Sequence, residues 1–94
     1  MKNIAIFASG SGSNFQAIID ANKAGNLHAN INLLVCDRPG AQVIERAKKS
    51  EIDYYALSVK DFPNKEAFER SILEQLNHYD IDLIVLAGYM RLIG

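Results

Sequence analysis

Two short segments of the sequence combine residue types that could bind a ligand. Residues 8–14 read ASGSGSN and follow the apolar run IAIF, whereas residues 88–94 read GYMRLIG and follow the apolar run LIVLA. The first segment offers backbone N–H groups, hydroxyls and an amide as hydrogen-bond donors. The second mixes aromatic, thioether, cationic and aliphatic side chains, which suits a flat apolar ligand with polar edges.

The ASGSGSN segment has the composition of an anion-binding loop. Gly10 and Gly12 can adopt positive φ values that turn consecutive N–H groups inward. Ser13 and Asn14 would open a helix whose first N–H groups are unpaired and whose dipole favours a phosphate. A dinucleotide fingerprint would need a third glycine where Phe15 stands, and the Gly-Lys-Ser/Thr of a P-loop is absent, so a monophosphate fits better than a pyrophosphate.

A simpler interpretation of each segment stays open. The glycine-rich residues could form only a tight strand-to-helix turn with Ser13 or Asn14 as the N-cap, a role that contributes about 1 kcal/mol. In the second segment, Leu92 and Ile93 could be core residues and Arg91 a solvated charge. Neither segment decides between these interpretations by itself.

The rest of the chain alternates short β-rich runs with segments of helical period, which is typical of βαβ units and a parallel sheet. Strands are predicted at Asn3–Ala8, Ile31–Cys36, Tyr54–Leu57 and Leu83–Ala87. Helices are predicted at Asn14–Ala24, Ala41–Lys49 and Lys65–Tyr79. Because IAIF and LIVLA are continuously apolar, we expect strands one and four to be the central pair, buried on both faces.

The order of these strands decides where the two segments lie. Right-handed crossovers carry strands one, two and three outward in one direction, and the long third helix can return strand four beside strand one. The prediction is an α/β fold, a Rossmann-like open parallel sheet of order 3-2-1-4 with helices on both faces. Ligands of such sheets bind at the topological switch, where the carboxyl ends of strands one and four would bring both segments together.

Composition limits the possible partners. The chain has 94 residues, of which 49% are hydrophobic, and a formal net charge of -1, so it is expected to be a single globular domain. The balanced charge argues against nucleic acid and acidic membrane surfaces. The apolar stretches fall below the ~18 residues of a membrane span and the about 7–15 of a signal-peptide core. We therefore expect a soluble, cytoplasmic protein whose partners are small molecules.

Other reactive residue types have plain interpretations. Cys36 is the single cysteine and ends a predicted strand, so a small core residue is favoured over a nucleophile, and no spacing suggests a metal site. His28 and His78 are predicted to be solvated. Asp80 and Asp82 are predicted to lie in a loop away from the switch, and residues 37–40, DRPG, to form a turn at the edge of any site.

The segments IFASGSGSNFQAII and LIVLAGYMRLIG together resemble the N-terminal half of the phosphoribosylglycinamide formyltransferase family, and the resemblance extends over all 94 residues. It implies transfer of a formyl group from the co-substrate 10-formyltetrahydrofolate to the amine of glycinamide ribonucleotide, without a metal. By position, Gly12, Ser13 and Asn14 would hold the 5′-phosphate of the ribonucleotide. The same resemblance implies folate contacts from Lys65, where the family often has Arg, and from four residues after strand four: Met90, Arg91, Leu92 and Ile93.

Two rival functions are weighed against this one. A related formyltransferase could act on another amine, such as methionyl-tRNA or a nucleotide sugar, but the charge balance disfavours tRNA and the Ser-Asn helix opening favours a small phosphate ligand. A non-catalytic module, such as a flavodoxin-like receiver, would place an acidic cluster after strand one. This chain has SGSGSN there instead.

The resemblance also implies that the catalytic residues lie further along. In the family an Asn and a His in an N-x-H-P-S segment, with a more distant Asp, follow the MRLIG segment. Amide formation needs a proton acceptor and a stabilised oxyanion, and no residue of the 94 has either role by this resemblance. We therefore expect the N-terminal, substrate-binding half of a longer enzyme, inactive by itself and prone to self-association through strand four.

This expectation can be checked in the gene. The coding sequence should continue past Gly94 and encode N-x-H-P-S within a few tens of residues. A downstream reading frame without that segment would weaken the assignment sharply.

Overall fold

The computed structural model of the chain describes residues 2–87, which form a parallel sheet with helices on both faces. The strands are β1 (Lys2–Phe7), β2 (Ala29–Cys36), β3 (Tyr54–Ala56) and β4 (Leu83–Leu86). The helices are α1 (Ser13–Lys23), α2 (Gln42–Lys49) and α3 (Lys65–His78), and a short 3₁₀ turn at Val59–Asp61 precedes α3. All predicted elements are present, with ends that differ by up to two residues.

The sheet has the order β3-β2-β1-β4, all parallel, as predicted. β1 pairs with β4 in a register that sets Ile4 opposite Leu83 and Phe7 opposite Leu86. The chain thus leaves β1 in one direction to form β2 and β3, and α3 returns it to the other side of β1. The topological switch lies between the carboxyl ends of β1 and β4, where open α/β sheets bind their ligands.

The prediction that β1 and β4 form a central pair is wrong for β4. The inner strands are β1 and β2, and β4 lies at the edge of the sheet that residues 2–87 form. Three of its side chains are substantially exposed: Leu83 by 48%, Ile84 by 40% and Leu86 by 65%. An apolar run indicates that a strand has a partner on each face, but it does not say whether residues 2–87 supply those partners.

Alternating side chains of the inner strands pack into two separate cores, one on each face of the sheet. On one face, Ile4 and Ile6 of β1 pack with α1 and α2, and on the other, Ala5 and Phe7 pack with α3. The second core contains an apolar stripe of α3 and its C-cap residue: Phe68, Ile72, Leu76 and Tyr79. The loops between β1 and α1 and between β2 and α2 therefore lie together at one edge.

The ends of the helices show how the connections are made. Gly25 follows α1 with a φ of +81°. Its N–H donates to the carbonyl of Asn22 at 3.1 Å, and that of Asn26 donates to Ala21 at 2.9 Å, which is a Schellman motif. At the start of α3, the side chain of Asn64 accepts a hydrogen bond from the N–H of Ala67 at 2.8 Å and caps the helix.

Among the helices of residues 2–87, none has the length and apolar character needed to cross a membrane.

Candidate phosphate-binding site

The loop that joins β1 to α1 has the backbone conformation that the sequence predicted. Gly10 has a φ of +76° and Gly12 a φ of +78°. Residues with a side chain rarely adopt this left-handed region, so glycine is the natural residue at both positions. The two glycines bend the chain sharply where β1 ends, and α1 begins one residue after the second of them.

The interpretation of Ser13 or Asn14 as the N-cap of α1 is wrong. Gly12 is the N-cap, and its carbonyl accepts the first helical hydrogen bond, from the N–H of Gln16 at 2.8 Å. Ser13 and Asn14 are instead the first two helical residues, and both are exposed. Their N–H groups precede the first intrahelical bond, and no acceptor within residues 2–87 pairs with them. The side chain of Asn14 is therefore not needed to begin the helix.

Gly12 is also the point at which the loop touches α2. A Cβ atom at this position would lie 2.5 Å from Val43 Cγ2 and 2.9 Å from Val43 Cα, closer than real atoms approach. Part of that clash is with backbone, which cannot rotate away as a side-chain end could. The absence of a side chain at Gly12 thus lets the first turn of α2 pack directly against the loop.

Two carbonyl groups of the loop are hydrogen-bonded to α2. Val43 donates its N–H to the carbonyl of Gly10 at 3.1 Å, and Arg46 donates its Nε–H to the carbonyl of Ser11 at 2.7 Å. In a trans peptide, the C=O of one residue and the N–H of the next point in opposite directions. The two bonds to α2 therefore aim the N–H groups of Ser11 and Gly12 away from α2, as an anion nest requires.

A buried carboxylate supports the other end of the loop. The hydroxyl of Ser9 donates a hydrogen bond to Oδ1 of Asp37, whose side chain is only 7% exposed. Asp37 follows β2 directly, and β2 is the neighbour of β1 in the sheet. The DRPG segment forms the predicted turn, in which the N–H of Ala41 donates to the carbonyl of Arg38 at 3.0 Å, and its first residue also contacts the loop.

The other residues singled out in the sequence occupy ordinary positions. Cys36 is fully buried in the core, and this burial raises the pKa of its thiol, which makes it a poor nucleophile. His28 and His78 are exposed, as predicted. Asp82 is exposed as well and accepts a hydrogen bond from the N–H of Asn3 at 2.9 Å. This contact lies at the amino ends of β1 and β4, whereas the loop follows the carboxyl end of β1.

Of the residues expected on the folate side, the structure describes Lys65. Lys65 is the first residue of α3, which packs on the face of the sheet opposite to α1 and α2. Its side chain is 65% exposed, and its Nζ lies 4.0 Å from Oε2 of Glu69. Met90, Arg91, Leu92 and Ile93 lie outside the described residues. Residues 2–87 contain no group of three or more His, Cys, Asp or Glu side chains that could hold a metal ion.

Two side chains hydrogen-bond to the loop in a way that the sequence analysis did not state. Asp37 belongs to the DRPG turn predicted at the edge of any site, and its position after β2, the strand adjacent to β1, already indicates that it lies near the residue that follows β1. No sequence pattern predicts the contact of Arg46 with the loop, because an arginine on a short, highly charged helix is expected to be solvated. Only the packing of α2 against Gly12 brings its guanidinium to the carbonyl of Ser11.

The fold and the loop define a class of protein: a Rossmann-like α/β protein with a glycine-rich loop at the switch point of its sheet. Within that class the chain belongs to the formyl transferase family, whose characteristic sequence matches residues 2–94.

Several relatives narrow the comparison. The chain is 54% identical to phosphoribosylglycinamide formyltransferase of Bacillus subtilis, over 100% of this chain and 48% of that enzyme. It is 35% identical to the Escherichia coli enzyme of the same name, over 98% of this chain and 43% of that enzyme. The structure superimposes with a TM-score of 0.98 on glycinamide ribonucleotide transformylase 1 from Geobacillus kaustophilus, 61% identical, covering 100% of this chain and 50% of that one. The chain thus spans about half the length of these relatives and corresponds to their N-terminal half.

The contact between Gly12 and Val43 predicts a large cost for Gly12→Ala. The added methyl group would combine a positive φ with a clash against backbone, so we expect a loss of about 2–4 kcal/mol in the free energy of unfolding. Urea denaturation followed by circular dichroism measures this loss.

Gly25→Ala is the matched control. Its φ of +81° is similar, but a Cβ atom there would meet nothing within 4 Å. Only the backbone strain remains, which costs about 1 kcal/mol. Equal losses for the two variants would show that the approach of α2 to Gly12 does not matter.

Proposed function

We propose that this chain is the substrate-binding half of a cytoplasmic phosphoribosylglycinamide formyltransferase and forms a single α/β domain. In this proposal, Gly12, Ser13 and Asn14 bind the 5′-phosphate of glycinamide ribonucleotide. The observation that carries it is the backbone of residues 10–14, in which two positive-φ glycines lead into the unpaired N–H groups of α1. The names of the B. subtilis and E. coli relatives support the choice of reaction.

The size of the loop supports a monophosphate as the ligand. The N–H groups that precede the first helical bond are few, and the side chain of Phe15, which follows Asn14, is fully buried. A second phosphate group would need further glycines to let the backbone approach it, as in dinucleotide-binding loops. A single terminal phosphate is also the part of a ribonucleotide that can enter a loop of this size with its sugar outside.

The electrostatics of the loop are those of a helix N-terminus. Each unpaired N–H group carries a partial positive charge, and the dipole of α1 adds to them. No acidic residue occupies the first turn of α1, so nothing in that turn repels a phosphate. The side chains of Ser13 and Asn14 are exposed at the same point and can add hydrogen bonds to phosphate oxygens.

The folate co-substrate is assigned to the other side of the switch point. Met90, Arg91, Leu92 and Ile93 follow β4, the strand next to β1, and would line the pocket for the pterin ring. Lys65 lies at the start of α3, the helix that returns the chain from the carboxyl edge of the sheet, where a cation can meet the acidic tail of a folate. No metal has a role in this scheme.

The reaction sets what the two sites must achieve together. The amine of the ribonucleotide attacks the formyl carbon of 10-formyltetrahydrofolate, a C–N bond to the amine forms, and the bond from the formyl carbon to N10 of the folate breaks. The amine loses a proton, and N10 of the folate gains one. In this proposal, residues 1–94 hold the two substrates in the relative orientation that the reaction needs. The groups that move the protons belong to the remainder of a longer chain, so residues 1–94 alone are expected to be inactive.

Asn14→Ala tests the phosphate site. Because Asn14 is not the cap of α1, its replacement should change the free energy of unfolding by less than about 0.5 kcal/mol. The loss of one hydrogen bond to a charged ligand should weaken the binding of glycinamide ribonucleotide about tenfold. Isothermal titration calorimetry of the full-length protein gives the affinity, and thermal unfolding gives the stability.

Asn64→Ala provides the opposite control. Asn64 caps α3 and lies outside the proposed phosphate site, so this variant should lose about 1 kcal/mol of stability and keep its affinity for the ribonucleotide. If the wild-type protein does not bind the ribonucleotide, or if Asn14→Ala binds it as tightly as wild type does, the assignment of this loop is wrong.

The exposed strand β4 supports a proposal about residues 1–94 expressed alone. Within residues 2–87 its outer edge has no pairing strand, and its exposed leucine and isoleucine side chains favour pairing with a second copy. Sedimentation velocity should show concentration-dependent association, and Leu86→Lys, which sets a charge on this surface, should reduce it. A stable monomer at high concentration would contradict the proposal.

A further inference from the structure

We propose that Arg46 is a positioning residue for the phosphate site, one that holds the glycine-rich loop in the conformation that receives the anion. The proposal rests on the proposed function, because it concerns the same loop. It adds a residue of α2 that is remote in sequence from the loop and has no role in the resemblance to the family.

The contacts of Arg46 join two parts of the site. Its Nε–H donates to the carbonyl of Ser11 at 2.7 Å, and its Nη1–H donates to Oε1 of Gln16 at 3.4 Å. Ser11 lies in the loop between the two glycines, whereas Gln16 lies in the first turn of α1. A planar guanidinium can satisfy both acceptors from one fixed position, and a lysine ammonium has no such fork.

The bond to Ser11 acts on the peptide that matters most for an anion. Because C=O and N–H of a trans peptide point in opposite directions, holding the Ser11 carbonyl toward Arg46 directs the Gly12 N–H away from it. Glycine makes this peptide easy to rotate, so the loop needs an external contact to keep one orientation. The N–H of Val43 holds the preceding carbonyl, that of Gly10, in the same way at 3.1 Å.

The positive charge of Arg46 also favours the binding of an anion at the loop. The side chain is half-buried behind the loop, where solvent screens it less than an exposed charge. The nearest acidic residue in the sequence, Glu45, is paired with Lys48 at 3.4 Å, and the buried Asp37 lies at the other end of the loop, against Ser9. The guanidinium therefore adds an attraction for a phosphate at the residues between Ser11 and Gln16, which it contacts.

A positioning role for Arg46 predicts different effects on the binding of the two substrates. Arg46 should affect the binding of the phosphate-bearing ribonucleotide and leave the formylfolate unaffected, since Lys65, the assigned folate residue that the structure describes, lies on α3 at the opposite face of the sheet from α2. It should also act on ground-state binding, and so on KM for the ribonucleotide, with little effect on kcat. A general loss of structure would instead lower kcat and weaken the binding of both substrates.

The test uses the full-length protein and three variants. Arg46→Met removes the charge and the donors but keeps an unbranched apolar stem. Arg46→Lys keeps the charge without the fork, and Lys49→Met removes a positive charge from the exposed end of the same helix. Calorimetry with glycinamide ribonucleotide and with inorganic phosphate gives affinities, steady-state kinetics give KM for both substrates, and thermal unfolding reports on folding.

For Arg46→Met we expect KM and the dissociation constant for the ribonucleotide to rise about tenfold, with KM for the formylfolate and kcat within about twofold of wild type. Arg46→Lys should recover only part of the affinity, to about threefold weaker than wild type, since one of two contacts can be kept. Lys49→Met should bind as wild type does.

Several results would contradict the proposed role of Arg46. Wild-type affinity in Arg46→Met overturns the proposal, and so does full recovery in Arg46→Lys, which would show that charge alone matters. Parallel losses for both substrates would indicate a merely structural role. If the wild-type protein binds phosphate but not the ribonucleotide, the proposed function fails while the role of Arg46 is still measured with phosphate; if it binds neither, both are wrong.

Discussion

The approach of Gly12 to Val43 is the constraint on which the geometry of this site depends. Since no side chain separates them, the first turn of α2 packs directly on the loop after β1. That approach brings the N–H of Val43 and the guanidinium of Arg46 within hydrogen-bond distance of two consecutive loop carbonyls. The loop is therefore shaped by α2 on one side, and the N–H groups of Ser11 and Gly12 are directed away from that helix.

The sheet supplies the frame for this contact. β1 pairs with β2 on one side and with β4 on the other, so the loop after β1 lies at the switch point of the sheet. Asp37 at the end of β2 then meets Ser9 at the end of β1, which ties the two strand ends together. The loop is therefore held at three places. Asp37 binds Ser9, the backbone N–H of Val43 binds the carbonyl of Gly10, and the guanidinium of Arg46 binds the carbonyl of Ser11.

Most of the architecture could be predicted because it depends on local patterns. The alternation of apolar runs with helical periods, the right-handed crossovers and the long third helix together leave few arrangements of four parallel strands. Gly10 and Gly12 were predicted to have positive φ for a similar reason, since few other demands explain two glycines at a strand end. The N-cap of α1 was misjudged because Ser, Asn and Gly all serve as caps, and the competing demand that decides among them is the packing at Val43.

By itself, the sequence determined the fold class, the order of the strands, the family and the location of the glycine-rich loop at the switch point. These follow from periodicity, chirality and the motif residues, all of which are short-range or general. Only the tertiary structure decided that three apolar side chains of β4 are exposed in the described sheet, that Gly12 caps α1, and that Arg46 supports the loop. Each of these depends on which atoms of distant segments come within 3 to 4 Å of each other, which no local pattern encodes.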